Sequence, residues 1–133
     1  MNISISEIAA IIGGLIGLAG LGIGIWEFGR KTDLEIFLAY SKKYHEIITS
    51  DNRDKWNKAC KSENPKHWEG MDNVAIEYLN LAWEEIYLHQ TGVIRRNIWK
   101  IWWPEIKEVL ETKFADSMME KHDFHYLKAH LNK

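Results

Sequence analysis

The chain has 133 residues, of which 17 are basic and 19 acidic, and its formal net charge is −2. It has neither an acidic nor a basic tail, so we expect no double-stranded DNA partner. Its single cysteine, Cys60, excludes an internal disulfide, which fits a cytoplasmic domain.

The first element in chain order is an uncharged segment from Ile8 to Trp26. As a helix it would measure about 28 Å, close to the hydrocarbon thickness of a bilayer, so we interpret it as a transmembrane helix. The competing interpretation is a cleaved signal peptide, but the basic residues with which such a peptide begins are missing. Arg30 and Lys31 follow the segment, and positive residues stay in the cytoplasm. The sequence therefore predicts a single-pass protein of the inner membrane with its N-terminus outside, residues 1–31 forming the span and residues 32–133 a cytosolic helical domain.

Four glycines of this segment form one helical stripe. Gly13, Gly17, Gly20 and Gly24 are spaced by four, three and four residues and share a narrow face of the helix. Small residues aligned in this way let two helix backbones approach closely in lipid. The stripe predicts that the span self-associates into a homo-oligomer. The alternatives are a groove for the helix of another protein, or the general abundance of glycine in membrane helices.

The rest of the chain shows helical periodicity and no convincing strand, so we expect an all-α domain. We predict helices at about residues 32–49, 53–61, 72–91, 94–103, 105–114 and 116–131, with a loop at about 62–72. The first of these either begins anew at Thr32 or Asp33 or continues the membrane helix. Ile94, Ile98 and Ile101 are expected to form the buried seam of the helix that follows Gly92. Pro104 either ends that helix or opens the next one.

A basic and aromatic cluster lies at the start of this helix. It consists of Arg95, Arg96, Asn97, Trp99, Lys100, Trp102 and Trp103, with no acidic residue among them. Arg96, Lys100 and Trp103 share one helical face. Cations beside aromatic rings suit a phosphate-bearing ligand, such as a nucleotide second messenger whose bases stack on the rings. Two alternatives stay open: the cations pair with the acidic residues of the preceding helix inside the domain, or the helix lies on anionic membrane lipid.

Two further groups of polar residues fall short of a metal or catalytic site. His122, His125 and His130 lack a fourth ligand and the thiolates typical of structural zinc. Glu84 and Glu85 are neighbours that point in different directions, and the paired Glu-x-x-His motifs of di-iron bundles are missing. We interpret these carboxylates as part of a polar stripe or a subunit contact. We expect no metal, no cofactor and no enzymatic activity.

Three stretches form a recognisable pattern: Gly24 to Lys31 at the end of the span, Ile76 to Ile86 with Tyr-Leu-Asn-x-x-x-Glu at its centre, and Thr91 to Ile94 before the Trp-rich helix. The pattern covers most of the chain and resembles a family of uncharacterised bacterial single-pass membrane proteins with a small cytosolic helical domain. The resemblance implies topology and fold but no activity. Such proteins often accompany bacterial mobile and defence-type loci. In layout alone, the chain is also similar to the small membrane effectors of nucleotide-signalled antiphage systems.

These features predict a non-enzymatic membrane protein that oligomerises through its glycine stripe and senses a ligand or partner with its cytosolic domain. The more specific form of this hypothesis is an antiphage defence effector that perturbs the membrane and is gated by a cyclic oligonucleotide. The alternative is a passive membrane adaptor or scaffold for a cytosolic partner protein.

Overall fold

The computed structural model describes the backbone of residues 17–133 and the side chains of residues 32–133. This part of the chain contains helices and turns but no strand, which confirms the all-α class. Its helices are α1 (Gly17–Ile47), α2 (Arg53–Lys61), a 3-10 turn (Pro65–Trp68), α3 (Asp72–Gln90), α4 (Arg96–Leu110), α5 (Lys113–Lys121) and α6 (His125–Leu131).

The predicted transmembrane segment begins outside the residues that the structure describes. Residues 8–16, including Gly13, lie outside them, whereas Gly17, Gly20 and Gly24 fall within α1. Within the described residues, no helix has a stretch long and apolar enough to cross a bilayer. The span, its orientation and its glycine contacts therefore stay predictions.

By its internal packing the chain divides into two compact units, Met1–Leu38 and Ala39–Lys133. The helix α1 contributes residues to both units. All side chains of the candidate site described below belong to Ala39–Lys133.

The short helix α5 is the centre of the Ala39–Lys133 unit, where it packs against α2, α3, α4 and α6. Its buried Phe114 has ring-centroid distances of 5.5 Å to Trp56 and 6.0 Å to Trp68. Trp56 in turn lies 5.0 Å from Tyr78 of α3. Trp68 also donates from its indole nitrogen to the Ser62 carbonyl at 3.2 Å, which pins the loop before α3 to this aromatic cluster.

The predicted seam of α4 is wrong at Ile101, whose side chain is 59% exposed. The seam runs instead through Ile94, Ile98 and Trp102, all of which are buried. These three residues are four apart in sequence, and residues four apart form the ridge along which helices commonly pack. Ile101 lies off this ridge.

Pro104 neither ends α4 nor opens a new helix, because α4 continues through it to Leu110. The ring removes one N–H donor from the helix, and the carbonyl it would have served belongs to the exposed Lys100. Water can satisfy a carbonyl at such a position. The predicted helix at 105–114 is consequently wrong in both of its ends. A new helix begins only after Thr112, whose hydroxyl accepts a hydrogen bond from the Ala115 amide at 3.1 Å.

The predicted helix at 116–131 is also wrong, because the chain breaks at Asp123 into α5 and α6. Asp123 has a φ of 65°, a left-handed conformation that aspartate tolerates better than most residues. His122 therefore follows the end of α5 while His125 begins α6, so the two histidines, three residues apart in sequence, lie on different helices.

Candidate ligand-binding site

A tight turn places α4 against α3. Gly92 adopts a φ of 83°, which glycine reaches without steric cost. The amides of Val93 and Ile94 both donate to the Leu88 carbonyl, at 2.9 and 3.1 Å. The chain reverses at this turn, and α4 packs against α3 and α5 through its buried seam. The side of α4 opposite the seam faces solvent.

Of the seven residues in the predicted cluster, Trp102 is buried in the seam, and the other six lie at least partly exposed in the first half of α4 and just before it. Four are exposed and two are half-buried: Arg95, Arg96, Asn97 and Lys100 in the first group, Trp99 and Trp103 in the second. Side chains three and four residues apart on a helix lie about 5–6 Å apart at their Cβ atoms. By this spacing Arg96 and Lys100 border the two tryptophans.

Trp99 and Trp103 form the middle of an aromatic column with a histidine at each end. Trp99 stacks on His89 of α3, with a centroid distance of 4.4 Å and an interplanar angle of 9°. It also stacks on Trp103, at 5.4 Å and 17°. Trp103 meets His130 of α6 edge-on, at 5.6 Å and 87°. The column thus joins three helices, α3, α4 and α6.

Among the described side chains, no ion pair joins Arg96 or Lys100 to the acidic helix α3. Glu77 is exposed, Glu84 bonds to α1, and Glu85 is buried. Among the described side chains, Arg96 and Lys100 form no ion pair, whereas Arg95 has an interaction of its own. Like charges four residues apart destabilise a helix by about 0.2–0.5 kcal/mol, so Arg96 and Lys100 carry a small cost to folding that a bound anion would remove.

A buried carboxylate lies behind Glu84, and the sequence did not identify it. Glu85 is only 7% exposed, so its interpretation as part of a polar stripe is wrong. Burial, followed by the nearby charge of Glu84, raises the pKa of Glu85 to about 8, and Lys43 opposes this shift. The other residues of α3 are apolar over most of the helix circumference. The position of one acidic residue among them therefore does not predict whether that residue is buried.

Glu84 itself ties α3 to α1. Its Oε1 accepts from the Tyr40 hydroxyl at 2.7 Å and from Lys43 Nζ at 3.2 Å. Burial and the bond to Glu84 raise the pKa of Tyr40, so its hydroxyl stays protonated. The Tyr40 ring lies 5.9 Å from Trp102, on the helix that carries the candidate site. Lys43 and Glu84 also line a shallow groove of about 350 Å³ between α1 and α3, away from the aromatic column.

The C-terminal histidines each have a separate partner. His122 Nε2 lies 2.8 Å from Asp72, His125 Nε2 lies 2.6 Å from Asp123, and His130 belongs to the aromatic column. In residues 32–133, no group of three or more His, Cys, Asp or Glu side chains is arranged to hold a metal ion. Burial raises the pKa of Cys60 to about 11, which keeps the thiol protonated and unreactive.

Comparison with known proteins gave no match to a protein-family model, to a curated protein or to a solved structure. The resemblance to an uncharacterised bacterial membrane-protein family therefore stays a prediction. Inferences about function depend on the site itself.

Proposed function

We propose that this chain is a non-enzymatic, membrane-anchored sensor whose helix α4 binds a phosphate-bearing ligand. The observation that carries the proposal is the pair Arg96 and Lys100, exposed beside the half-buried Trp99 and Trp103 and without an acidic partner among the described side chains. Two cations one helical turn apart suit a ligand with at least two negative charges, and charge-assisted hydrogen bonds to phosphate are among the stronger polar contacts in proteins.

The ligand class that fits this site is a nucleotide second messenger with phosphodiester links, such as a cyclic oligonucleotide. The phosphates would lie against Arg96, Lys100 and the Asn97 amide, and the bases would contact the outer part of the Trp99–Trp103 stack. A chain that binds such a ligand and perturbs the membrane in response would act as an antiphage defence effector.

The link from α4 to the N-terminal segment is the contact between Trp102 and Tyr40. Trp102 lies on α4 within one turn of Lys100, and Tyr40 lies on α1, which is continuous with residues 17–31. Ligand binding that shifts α4 would change this contact and the hydrogen bond from Tyr40 to Glu84. In the proposed mechanism, the shift alters how the spans pack along Gly13, Gly17, Gly20 and Gly24.

The ligand site is tested by anion titration of the purified full-length chain. The probes are a cyclic dinucleotide, a cyclic trinucleotide, inorganic triphosphate and vesicles with and without anionic lipid. We expect Arg96→Gln/Lys100→Gln to lose at least roughly 100-fold in affinity for the best soluble probe, since hydrogen bonds to charged groups contribute about 1.5–3 kcal/mol each. Unfolding stability should change by less than about 1 kcal/mol, because both residues are exposed.

The matched control is Lys42→Gln/Lys107→Gln. These lysines are exposed, removing them deletes the same net charge, and each pairs with a glutamate four residues away, at 3.9 and 3.5 Å. The control should keep the affinity of the wild type. Equal losses in both double variants would mean that only overall charge matters, and binding to none of the probes would contradict the proposal. Binding to anionic vesicles alone would assign α4 to the lipid surface.

The membrane part of the proposal has its own tests. A phosphatase that is active only in the periplasm should stay silent when fused after Lys133, and strong activity would reverse the proposed orientation. Gly17→Leu/Gly20→Leu should abolish crosslinking between copies in membranes. Gly14→Leu/Gly22→Leu, which lie off the stripe, should not. Unchanged crosslinking in the first variant would contradict oligomerisation through the stripe.

The second candidate function, a passive adaptor for a cytosolic protein, is favoured by one observation. Ile101 and Val93 are 59% and 46% exposed near the same basic residues, and exposed apolar side chains of this size commonly mark protein contacts. If α4 is a protein-docking helix, Ile101→Ser should abolish capture of the partner protein. In that case neither the wild type nor the variant should bind anions. If α4 is the ligand site, Ile101→Ser should leave anion affinity unchanged.

A further inference from the structure

The solvent-facing side of α4 carries a ridge that is basic at one end and acidic at the other. Its members are exposed and each lies four residues after the last: Arg96, Lys100, Pro104 and Glu108. Residues spaced in this way form a continuous row along a helix surface. Glu111, three residues after Glu108, lies beside the acidic end of the row. The ridge therefore has two cations before Pro104 and two carboxylates after it.

This order of charges is the reverse of the order that stabilises a helix. Acidic side chains are favourable near the N-terminus of a helix and basic side chains near its C-terminus. The first turn of α4 contains Arg96 and no acidic residue, whereas Glu108 and Glu111 lie at the other end. The basic residue of the last turn, Lys107, lies 3.5 Å from Glu111. The stability of α4 alone therefore does not account for the charge order of the ridge.

Most charges of the ridge also lack a partner in the chain. Within residues 32–133, Arg96, Lys100 and Glu108 form no ion pair, and the pair between Glu111 and Lys107 is half-exposed. Like charges three or four residues apart repel each other, and this occurs at both ends of the ridge. A surface with carboxylates opposite the cations and cations opposite the carboxylates would offset both repulsions.

We propose that the ridge of α4 pairs with the same ridge of a second copy of this chain, in antiparallel orientation about a two-fold axis at Pro104. In this register Lys100 of each copy lies opposite Glu108 of the other, and Arg96 lies opposite Glu111. The occupant follows from charge complementarity, because the ridge read backwards presents the opposite sign at each position. A parallel pair would instead oppose like charges. Two-fold pairing of identical surfaces is also the commonest symmetry among soluble homo-oligomers.

This inference goes beyond the proposed function and does not rest on it. The apolar part of the contact is limited to Pro104 and the neighbouring Ile101, which is 59% exposed, so charges determine the pairing. Ion pairs at an exposed surface are screened by salt, and the contact should weaken as salt is added. A phosphate bound at Arg96 and Lys100 would compete with the second copy for the same cations.

The test is crosslinking of the full-length chain, in detergent and without any ligand, through a cysteine on the proposed axis. The parent for this assay is Pro104→Cys in a Cys60→Ala background. A short bifunctional thiol reagent should link two copies in about 0.1 M salt and far fewer in about 1 M salt, because the screening length falls from about 10 to about 3 Å.

Charge reversals then identify which residues face each other. Arg96→Glu/Lys100→Glu and Glu108→Lys/Glu111→Lys should each lower the crosslinked fraction at least roughly tenfold, because each opposes like charges across the contact. An equal mixture of the two double variants should crosslink between unlike copies. The chain with all four reversals should crosslink with itself again, since its ridge is once more complementary when read backwards.

The matched control is Lys55→Glu/Lys58→Glu, which reverses two exposed lysines of α2 and changes the net charge as the reversal at Arg96 and Lys100 does. It should crosslink like the parent. Equal losses in the control and in the variants of the ridge would mean that only net charge matters and would overturn the inference.

Three further results would overturn it: a parent that does not crosslink or is indifferent to salt, a Glu108→Lys/Glu111→Lys variant that crosslinks like the parent, and a fourfold variant with the parent's helical circular dichroism that fails to crosslink. The first is measured without any charge variant, so the inference stays falsifiable if a reversal prevents folding. Anion titration tests the proposed function separately. Anion binding without this crosslink would overturn only the inference, and the crosslink without anion binding would overturn only the proposed function.

Discussion

The buried Glu85 makes a strong prediction about stability. Its pKa is about 8 in the folded chain against an ordinary value of 4.5. Between these values the folded state holds a proton that the unfolded state releases, so the free energy of unfolding falls as pH rises through this window. Each pKa unit corresponds to about 1.4 kcal/mol. At pH 7, roughly 2.5 units above the ordinary value, keeping Glu85 buried therefore costs about 3 kcal/mol.

Glu85→Gln keeps the size of the side chain and removes its ionisation. We expect the variant to be more stable than the wild type by less than about 1 kcal/mol at pH 5 and by about 3 kcal/mol at pH 7. The assay is chemical unfolding of the full-length chain at pH 5, 6, 7 and 8, followed by circular dichroism at 222 nm, roughly the helix minimum. The free energy of unfolding should fall steeply as pH rises in the wild type but not in Glu85→Gln.

Glu84→Gln is the control for this prediction. Glu84 lies next in sequence but is half-exposed, with a side-chain exposure of 46%, and it bonds to Lys43 and Tyr40. Its loss should destabilise the chain slightly at pH 5, by about 0–1 kcal/mol. Because the charge of Glu84 contributes to the raised pKa of Glu85, this variant should still lose stability as pH rises, less steeply than the wild type and unlike the flat curve of Glu85→Gln. If the curves of Glu85→Gln and the wild type run parallel from pH 5 to pH 8, Glu85 ionises in the fold without cost and the reasoning is refuted.

Three further predictions concern the fold. Phe114→Ala should cost about 3–5 kcal/mol in chemical unfolding, because the ring is buried against Trp56 and Trp68; a loss under 1 kcal/mol would contradict that packing. Gly92→Ala should cost about 1–2 kcal/mol, all of it backbone strain, since a Cβ there meets nothing within 4 Å. Burial lowers the pKa of His130, so below about pH 6.5 the unfolded state binds this proton first; in the Glu85→Gln background, which removes the larger and opposite effect of Glu85, His130→Gln should lose less stability than its parent as pH falls, in chemical unfolding.

Local signals in the sequence predicted much of the fold. The bounds of α2 agree with the prediction because the polar residues 50–52 interrupt the helical pattern before it. The start of α3 at Asp72 and the turn at Gly92 also agree with the predicted bounds. These features depend on a few adjacent residues, so they can be recognised without knowing the tertiary structure.

The errors arise where packing decides between alternatives with similar periodicity. Ile101 and Trp102 are adjacent and both apolar, and only the direction in which α4 crosses its neighbours selects Trp102 for the core. The break at Asp123 carries no glycine or proline, so nothing in the composition marks it.

For the candidate site, the sequence identified the residues of α4 but not their partners. Arg96, Lys100, Trp99 and Trp103 lie within two turns of one helix, so their proximity follows from spacing alone. His89 lies on α3 and His130 lies on α6, outside the helix that carries the tryptophans. No pattern along the chain relates these two histidines to the tryptophans.

The native mass of the detergent-solubilised full-length chain, measured with and without a nucleotide extract, tests ligand binding by α4 most directly. We predict that the wild type gains the mass of a bound phosphate compound, and that Arg96→Gln/Lys100→Gln, with unchanged thermal stability, does not. A wild type that gains no mass, or a double variant that retains the bound compound, would contradict the assignment of α4 as the ligand site.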